Sequence, residues 1–171
     1  MFPTLSQIEA YSTEHLVDAA DHWDSLADRW EDAHWQVRNQ AHVLDWQGAA
    51  ADALRARTTS DYTVASGQAD QLRSTSRIAR QQAGELDHLR NSVLYAVEDA
   101  HNAGFTVGDD FSVTDTRASR TAAEQAARQA QAQVFAADIR GRAGALVVAD
   151  TTVAADLSSA AAGIGDNSPE I

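Results

Sequence analysis

Apolar side chains recur every seven residues along two long stretches of this chain, and no other feature constrains the fold as strongly. The row in the first stretch is Leu16, Trp23, Trp30, Val37 and Leu44. The row in the second stretch includes Ala65, Leu72, Ala79, Leu86 and Val93. A period of seven keeps side chains on one helix face, as in helices that share a packing seam. The pattern predicts a first helix from Thr4 to residue 45 and a second from Ala49 to Ala103.

The two helices are expected to pack antiparallel as a hairpin over residues 1–103. Folding the chain about residue 47 brings Leu72 opposite Trp23 and Ala65 opposite Trp30, so that small and large side chains interdigitate. The same register brings basic side chains close to acidic ones. These are Arg73, Arg77 and Arg80 near Asp21, Asp18 and Glu14.

The remaining residues predict a third helix joined to the hairpin by a loop. Residues 104–115 alternate polar and apolar side chains, and we interpret them as an extended crossing loop. Thr114 or Asp115 then caps a helix over 116–162, in which apolar residues again repeat every seven positions at Ile139, Leu146, Val153 and Ala160. Residues 163–171 are expected to be a flexible tail or linker. The predicted fold class is all-α: a long helix–turn–helix hairpin with a third long helix packed on it, as a helical bundle or coiled coil.

Composition excludes several classes of function. The net charge of −12 disfavours nucleic acid as a partner. The absence of cysteine excludes disulfides and thiolate chemistry. No uninterrupted apolar run approaches the ~18 residues of a membrane span, so no membrane anchor is expected. The N-terminus lacks the basic region of a signal peptide. Arginines such as Arg55, Arg57 and Arg128 are interpreted as parts of solvated faces.

Catalysis has no candidate residue, so the sequence predicts a protein that is not an enzyme and has no cofactor. The sharpest enzymatic alternative is a di-metal carboxylate bundle, because Glu31/His34 and Glu85/His88 each have the Glu-x-x-His spacing of such sites. In the hairpin these pairs lie roughly 30 Å apart, too far to share metal ions. With Trp30 in the seam, Glu31 and His34 are also expected to point away from the hairpin core. No metal site is therefore predicted.

Two short motifs remain to be explained. Trp46-Gln47-Gly48 lies where the two helices meet, and glycine permits the backbone of a tight turn. Tyr95 and Asp99 are four residues apart near the end of the second helix, so they share one helix face. A tryptophan at a turn carries a large apolar surface that is costly to leave in water.

In these respects the chain resembles the WXG family of type VII (ESX) secretion substrates. Members are helical hairpins of about a hundred residues with Trp-x-Gly at the turn and Tyr-x-x-x-Asp/Glu after the second helix. The resemblance implies that Trp46, Gly48, Tyr95 and Asp99 form a secretion signal and partner-binding site. It also implies a homodimer or WXG-like heterodimer, recognition by the membrane ATPase of the secretion system, and signal-peptide-free export from an actinobacterium. The protein would be cytoplasmic before export and secreted or in the cell envelope afterwards.

The chain departs from the minimal family pattern in length. About 65 residues follow the hairpin, as in longer members in which the hairpin is an N-terminal targeting domain ahead of an effector or toxin domain. Trp46 and Tyr95 are 49 positions apart, or roughly 70 Å along a helix, so one hairpin does not unite them. A second hairpin packed antiparallel would, or the third helix would return toward the turn. The alternative function is a cytoplasmic structural or scaffolding coiled-coil protein.

Overall fold

A computed structural model describes residues 2–165 and is an all-α helical bundle, as the sequence predicts. Its helices are α1 (Leu5–Ala10), α2 (Glu14–Val43), α3 (Ala49–Asn102) and α4 (Ala122–Gly165), and two short strands are β1 (Phe105–Val107) and β2 (Val113–Asp115). The predicted tail begins at residue 163, but residues 163–165 belong to α4. Residues 166–171 of the predicted tail lie outside the described residues.

The first predicted helix is divided into α1 and α2. Thr4 caps α1 as expected: its hydroxyl accepts from the Gln7 backbone N–H, and its own backbone N–H donates to the Gln7 side chain at 2.9 Å. The chain then leaves the helix at Tyr11, whose backbone is extended. Ser12 and Thr13 follow, and short hydroxyl side chains favour helix ends over helix interiors. The prediction of one continuous helix from Thr4 was therefore wrong.

The predicted crossing loop is a small antiparallel hairpin. Phe105 pairs with Asp115 and Val107 pairs with Val113. The alternating aromatic and β-branched residues favour this extended pairing. Gly104 ends α3 with a φ of 84°, the left-handed conformation that glycine adopts most readily at a helix end.

The third long helix begins at Ala122, six residues later than predicted. Its cap is Thr121, whose hydroxyl accepts from the Glu124 backbone N–H at 3.1 Å, while the Glu124 carboxylate accepts from the Thr121 N–H at 3.3 Å. This is a capping box. Thr114 and Asp115 do not cap the helix because they lie in β2.

The described residues divide into two compact units. We call Glu14–Gln81, with the part of α4 from Ala155, the turn unit. We call the residues up to Thr13, with Gln82–Ala154, the terminal unit. Both α3 and α4 contribute residues to each unit, and α3 is unbroken and ends one residue before the predicted Ala103.

In the turn unit, the buried side of α3 is the predicted one, and that of α2 is only partly so. Ala65, Leu72 and Ala79 are buried, and Trp23 packs with Leu26 against the cluster of Ala27, Ala69 and Leu72. The fully or nearly buried residues of α2 are Leu16, Ala20, Ala27 and Ala41.

The predicted α2 row was wrong beyond Trp23. Trp30, Val37 and Leu44 are 39%, 55% and 52% exposed. A straight helix has 3.6 residues per turn, so a strict seven-residue row rotates by about 20° per heptad and leaves the interface. Alanines take over the contact. Trp30 and Val37 of α2 are left exposed together with Leu44, which directly follows the last residue of α2, and we call these three residues the open seam.

The predicted charge register was also displaced. Arg73 binds Asp28 and Glu31 at 2.8 and 2.7 Å, and Arg80 binds Asp21 and Asp24 at 2.6 and 2.7 Å. Arg73 had been expected near Asp21 and Arg80 near Glu14. Side chains tilt toward the N-terminus of their own helix. In α3 that direction leads toward the turn, so each arginine meets acids closer to the turn than its backbone position suggests.

The core of the terminal unit contains residues of the predicted α3 and α4 rows and two pairs of aromatic rings, whereas Ala160 of the α4 row lies in the turn unit and is only partly buried. Leu86, Val93, Ile139, Leu146 and Val153 are buried as expected. The rings of Phe105 and Phe135 are 5.4 Å apart, and those of Phe2 and Phe111 are 5.7 Å apart edge to face.

Helix α1 is anchored on the loop of the strand hairpin. The Leu5 backbone N–H donates to the Asp109 carbonyl at 2.9 Å, and the Asp109 carboxylate accepts from the backbone and hydroxyl of Ser6 at 2.8 and 2.6 Å. The Arg90 guanidinium donates to the Ile8 and Glu9 carbonyls at the other end of α1. The N-terminal segment is thus joined to residues far along the chain.

One described helix, α4, includes a stretch (Ala122–Ala162) that is long and apolar enough to cross a membrane by length and composition alone. Part of this stretch faces protein, since Ile139 and Leu146 are buried in the terminal unit. Asp150 also accepts a hydrogen bond from the Tyr11 hydroxyl at 2.6 Å. Burial and that hydrogen bond raise the pKa of Tyr11.

Candidate recognition surfaces

The interhelix turn depends on the backbone of Gly48. Its φ is 103°, a backbone conformation that residues other than glycine rarely adopt. A Cβ atom at this position would meet nothing within 4 Å. The Gly48 carbonyl accepts the Asp52 N–H at 3.1 Å in the first turn of α3. The backbone conformation, and not crowding, therefore requires glycine at this position.

Arg55 holds the turn closed, a role that sequence reasoning missed. One guanidinium nitrogen donates to the carbonyls of Leu44 and Trp46 at 3.2 and 2.8 Å, and another lies 3.4 Å from Asp52. Carbonyls at the end of a helix lack partners in the helix and attract arginine. The sequence signal was the position of Arg55 in the second turn of α3, within reach of the end of α2.

The indole of Trp46 is displayed at this turn instead of being buried. Trp46 is 47% exposed, and the open seam of α2 leads toward it from Trp30 through Val37 to Leu44. Val43, the last residue of α2, is also exposed. Exposed tryptophans grouped with aliphatic side chains are characteristic of surfaces that bind other proteins.

The second predicted motif lies on α3 in the terminal unit. Tyr95 is 64% exposed and Asp99, one helical turn later, is also exposed, while Ala96 and Val97 between them are buried. The helix therefore presents the phenol and the carboxylate on its outer face. Trp46 and Gly48 form one pair in the turn unit, and Tyr95 and Asp99 form another in the terminal unit.

Glu31, one of the four residues of the di-metal alternative, is bound to side chains of α3. Glu31 was expected to point away from the hairpin core, but its carboxylate accepts from Arg73 and from the Ser66 hydroxyl of α3, at 2.7 and 2.9 Å. Hydrogen bonds from Arg73 and Ser66 lower the pKa of Glu31. The expectation was wrong because Trp30, and not its neighbour Glu31, has rotated out of the interface. Within residues 2–165, no three His, Asp or Glu side chains are grouped so as to hold a metal ion.

Arg128 is the central polar residue of the terminal unit, and sequence reasoning had placed it on a solvated face. Its guanidinium binds both carboxylate oxygens of Asp115, at 3.0 and 2.5 Å, and donates to the carbonyls of Ala103 and Gly104 at 3.1 Å each. It also lies 3.8 Å from the centre of the Phe105 ring. One side chain of α4 thereby joins the end of α3 to both strands.

The Asp115–Arg128 pair predicts a specific loss of stability in acid. The hydrogen bonds from Arg128 lower the pKa of Asp115 to about 2, below its value in an unfolded chain. The stabilisation is therefore complete above about pH 4 and disappears as the pH falls toward 2. We expect Asp115→Asn to lower the melting temperature by about 3–6 °C at pH 7 and to have little effect near pH 2.

Thermal melting followed by circular dichroism between pH 2 and 7 measures this difference. Asp61→Asn is the matched control, because Asp61 forms an exposed pair with Arg57 one helical turn away. A constant difference between wild type and Asp115→Asn at all pH values would contradict the assignment.

Curated proteins from mycobacteria match the chain over nearly its whole length. One is an uncharacterized protein of Mycobacterium bovis, and two are uncharacterized proteins from strains of Mycobacterium tuberculosis. Each is 54% identical over 166 residues, covering 97% of this chain and 51% of the relative. The chain thus spans about half the length of the curated relatives it matches. No family model and no solved structure matches the chain.

Proposed function

We propose that the protein is a type VII secretion substrate, or the N-terminal export-targeting and dimerisation domain of one. The observation that carries the proposal is the display of Trp46 at a turn whose backbone requires Gly48. If Trp46 were buried, packing of the hairpin would be enough to explain a tryptophan at this position. A half-exposed indole on a turn whose backbone carbonyls bind Arg55 is suited to recognition by another protein, here the membrane ATPase of the secretion system.

The open seam supports the dimerisation part of the proposal. Trp30 and Val37 of α2 retain the seven-residue spacing that a partner helix requires, and the intrachain interface does not cover them or Leu44, which follows the end of the helix. A hairpin from a second copy or from a WXG-like partner would bury these residues. The partner would also bring its own Tyr-x-x-x-Asp/Glu segment to the Trp46 turn.

The relatives support an actinobacterial setting and a longer protein. All three are mycobacterial, and the matched region is about half of each. Both facts agree with a targeting domain that accompanies another domain, such as a secreted effector or toxin. In this proposal the protein is made in the cytoplasm and leaves without a signal peptide for the cell envelope or the medium.

Export of variants from a mycobacterial host with a type VII system tests the proposal. We expect Trp46→Ala and Tyr95→Ala each to lower the amount in the culture filtrate by about tenfold or more, since loss of an aromatic anchor costs about 2 kcal/mol or more in a recognition interface. The protein should accumulate inside the cells. Trp35→Ala is the matched control, because Trp35 is 50% exposed on α2 but lies outside the motif.

The outcome separates the proposal from its alternative. Equal export of all variants, or the absence of wild type from the filtrate, would contradict the export function. If the wild type is absent from the filtrate, the alternative function is favoured. A cytoplasmic coiled-coil scaffold would use the open seam to bind a partner helix and would not be exported. Melting curves of the purified variants identify any that are lost through unfolding.

A further inference from the structure

A pocket of about 420 Å³ lies between α1 and α4 within the terminal unit. Its walls are mainly apolar, because Ile8 and Leu146 are 2% and 4% exposed and Pro3 and Val147 are partly buried. The volume falls within the range of pockets that hold small organic molecules. The residues that line the pocket are Pro3, Gln7, Ile8, Tyr11, Leu146, Val147, Asp150 and Thr151.

Asp150 offers this pocket one carboxylate oxygen that has no donor. The chain leaves α1 at Tyr11, where the backbone is extended, and the Tyr11 hydroxyl donates to Asp150 Oδ1 on α4 at 2.6 Å. This hydrogen bond holds the carboxylate in one position and occupies only one of its two oxygens. The second oxygen of Asp150 accepts no hydrogen bond from residues 2–165.

The other polar side chains of the lining are bound to backbone groups of their own helices. The Gln7 side-chain oxygen accepts from the Thr4 backbone N–H at 2.9 Å. The Thr151 hydroxyl donates to the Val147 carbonyl at 3.0 Å. The free oxygen of Asp150 is therefore the charged acceptor that the pocket presents to a ligand.

The charge beside the pocket is negative. In the described part of the chain, neither Asp150 nor Asp87 of α3 forms an ion pair. Burial, the hydrogen bond to Asp150 and the negative charges of Asp150 and Asp87 raise the pKa of Tyr11, so the hydroxyl remains a donor at neutral pH. Arg90, which contacts the end of α1, donates to two backbone carbonyls there and not to these carboxylates. A ligand for this pocket is therefore expected to carry a positive charge.

We propose that this pocket binds a small organic amine, with its ammonium group at the free Asp150 oxygen and its hydrocarbon body against Ile8 and Leu146. An ammonium group supplies a positive charge and only donors, and the free carboxylate oxygen lacks both. Leu146 and Asp150 are one helical turn, about 6 Å, apart along α4, so a chain of about five carbon atoms reaches from the carboxylate to the buried wall. The inference does not depend on export, and it uses neither the open seam nor the two motifs.

The probe that matches this geometry is n-pentylamine, and 1-pentanol is its uncharged counterpart of the same size. Titration of the full chain at low salt, followed by NMR of the Ile8 and Leu146 methyl groups, measures binding at the pocket walls. We expect a Kd on the order of 1 mM for n-pentylamine, a usual affinity for so small a ligand. Binding of 1-pentanol should be at least about fivefold weaker, because it lacks the charge. Equal binding of the two, or no change at these methyl groups, would overturn the proposal.

Asp150→Asn tests the role of the carboxylate. Asparagine retains an oxygen that accepts from the Tyr11 hydroxyl, so the contact between α1 and α4 is expected to persist, and a melting curve checks this. The Kd for n-pentylamine should rise about fivefold, less than for a fully buried charged hydrogen bond because Asp150 is exposed. Binding of 1-pentanol should not change.

Asp138→Asn is the matched control for this variant. It removes an equal charge from α4, and Asp138 lies outside the pocket, where it pairs with Arg142. We expect it to leave the Kd for n-pentylamine unchanged. Equal effects of the two variants would contradict the proposal, because they would show that only the net charge of the protein attracts the amine.

A further probe, Nα-acetyl-lysine methylamide, distinguishes a free amine from a lysine side chain of another protein, since both carry an alkylammonium group. Weaker binding than that of n-pentylamine supports the free amine, because the two backbone amides of the probe gain nothing from an apolar wall. Equal or tighter binding would overturn this assignment in favour of a lysine side chain on a protein partner.

Discussion

Phe105→Ala is expected to lower the free energy of unfolding by about 3–5 kcal/mol, the usual cost of truncating a fully buried phenylalanine. Phe105 is 2% exposed, and its ring contacts Phe135 and lies beneath the Arg128 guanidinium. Its removal leaves a cavity and also takes away the surface on which Arg128 is held. The loss should therefore exceed what the apolar area alone predicts.

Urea unfolding monitored by circular dichroism measures this change. Phe2→Ala is the matched control, because Phe2 is 48% exposed and contacts Phe111 only at its edge. We expect a loss of about 1 kcal/mol or less for the control. If both substitutions cost the same, Phe105 would not be the centre of the core of the terminal unit.

The second large effect is expected in the turn unit, where small side chains set the distance between α2 and α3. Ala27 and Ala69 are each fully buried at this contact. Ala27→Leu places additional methylene groups where no space exists, and overpacking of this kind costs about 1–3 kcal/mol. The substitution would also separate Arg73 from Asp28 and Glu31.

The control for this substitution is Ala33→Leu on the same helix. Ala33 is exposed, so leucine there should change the free energy of unfolding by no more than about 0.5 kcal/mol. A neutral Ala27→Leu would show that the helices separate easily and that the alanine contact does not determine their spacing.

Much of the fold could be predicted from the sequence because helical periodicity is a local property. The bounds of α3 were predicted to within one residue, and the cap at Thr4 and the buried row from Ala65 to Val93 were predicted correctly. The predicted row of α3 is buried, whereas the predicted row of α2 is exposed beyond Trp23, and the difference has a physical reason. Large residues in the α2 row suggested a coiled-coil seam, whereas alanines such as Ala27 and Ala69 occupy the contact and leave Trp30 and Val37 outside it.

The polar contacts could not be predicted because they depend on tertiary distances. Arg128 reaches Asp115 and the end of α3 only after the strand hairpin has formed, and nothing in its sequence neighbours indicated this. The role of Arg55 likewise depends on the positions of the Leu44 and Trp46 carbonyls, which the sequence does not give. The positions of the two motifs could be predicted: Gly48 lies at the turn between the long helices, and Tyr95 shares one helix face with Asp99.

The anchoring of α1 on Asp109 has a consequence for how the chain folds during synthesis. The turn unit is built mainly from one continuous segment, so α2 and α3 can pair as soon as that segment leaves the ribosome. The contacts of Leu5 and Ser6 with Asp109 span more than a hundred residues, and the contact between Tyr11 and Asp150 spans 139. Closing such long loops is slow. Helix α1 and Tyr11 therefore reach their native positions only after residues more than a hundred positions later have been made.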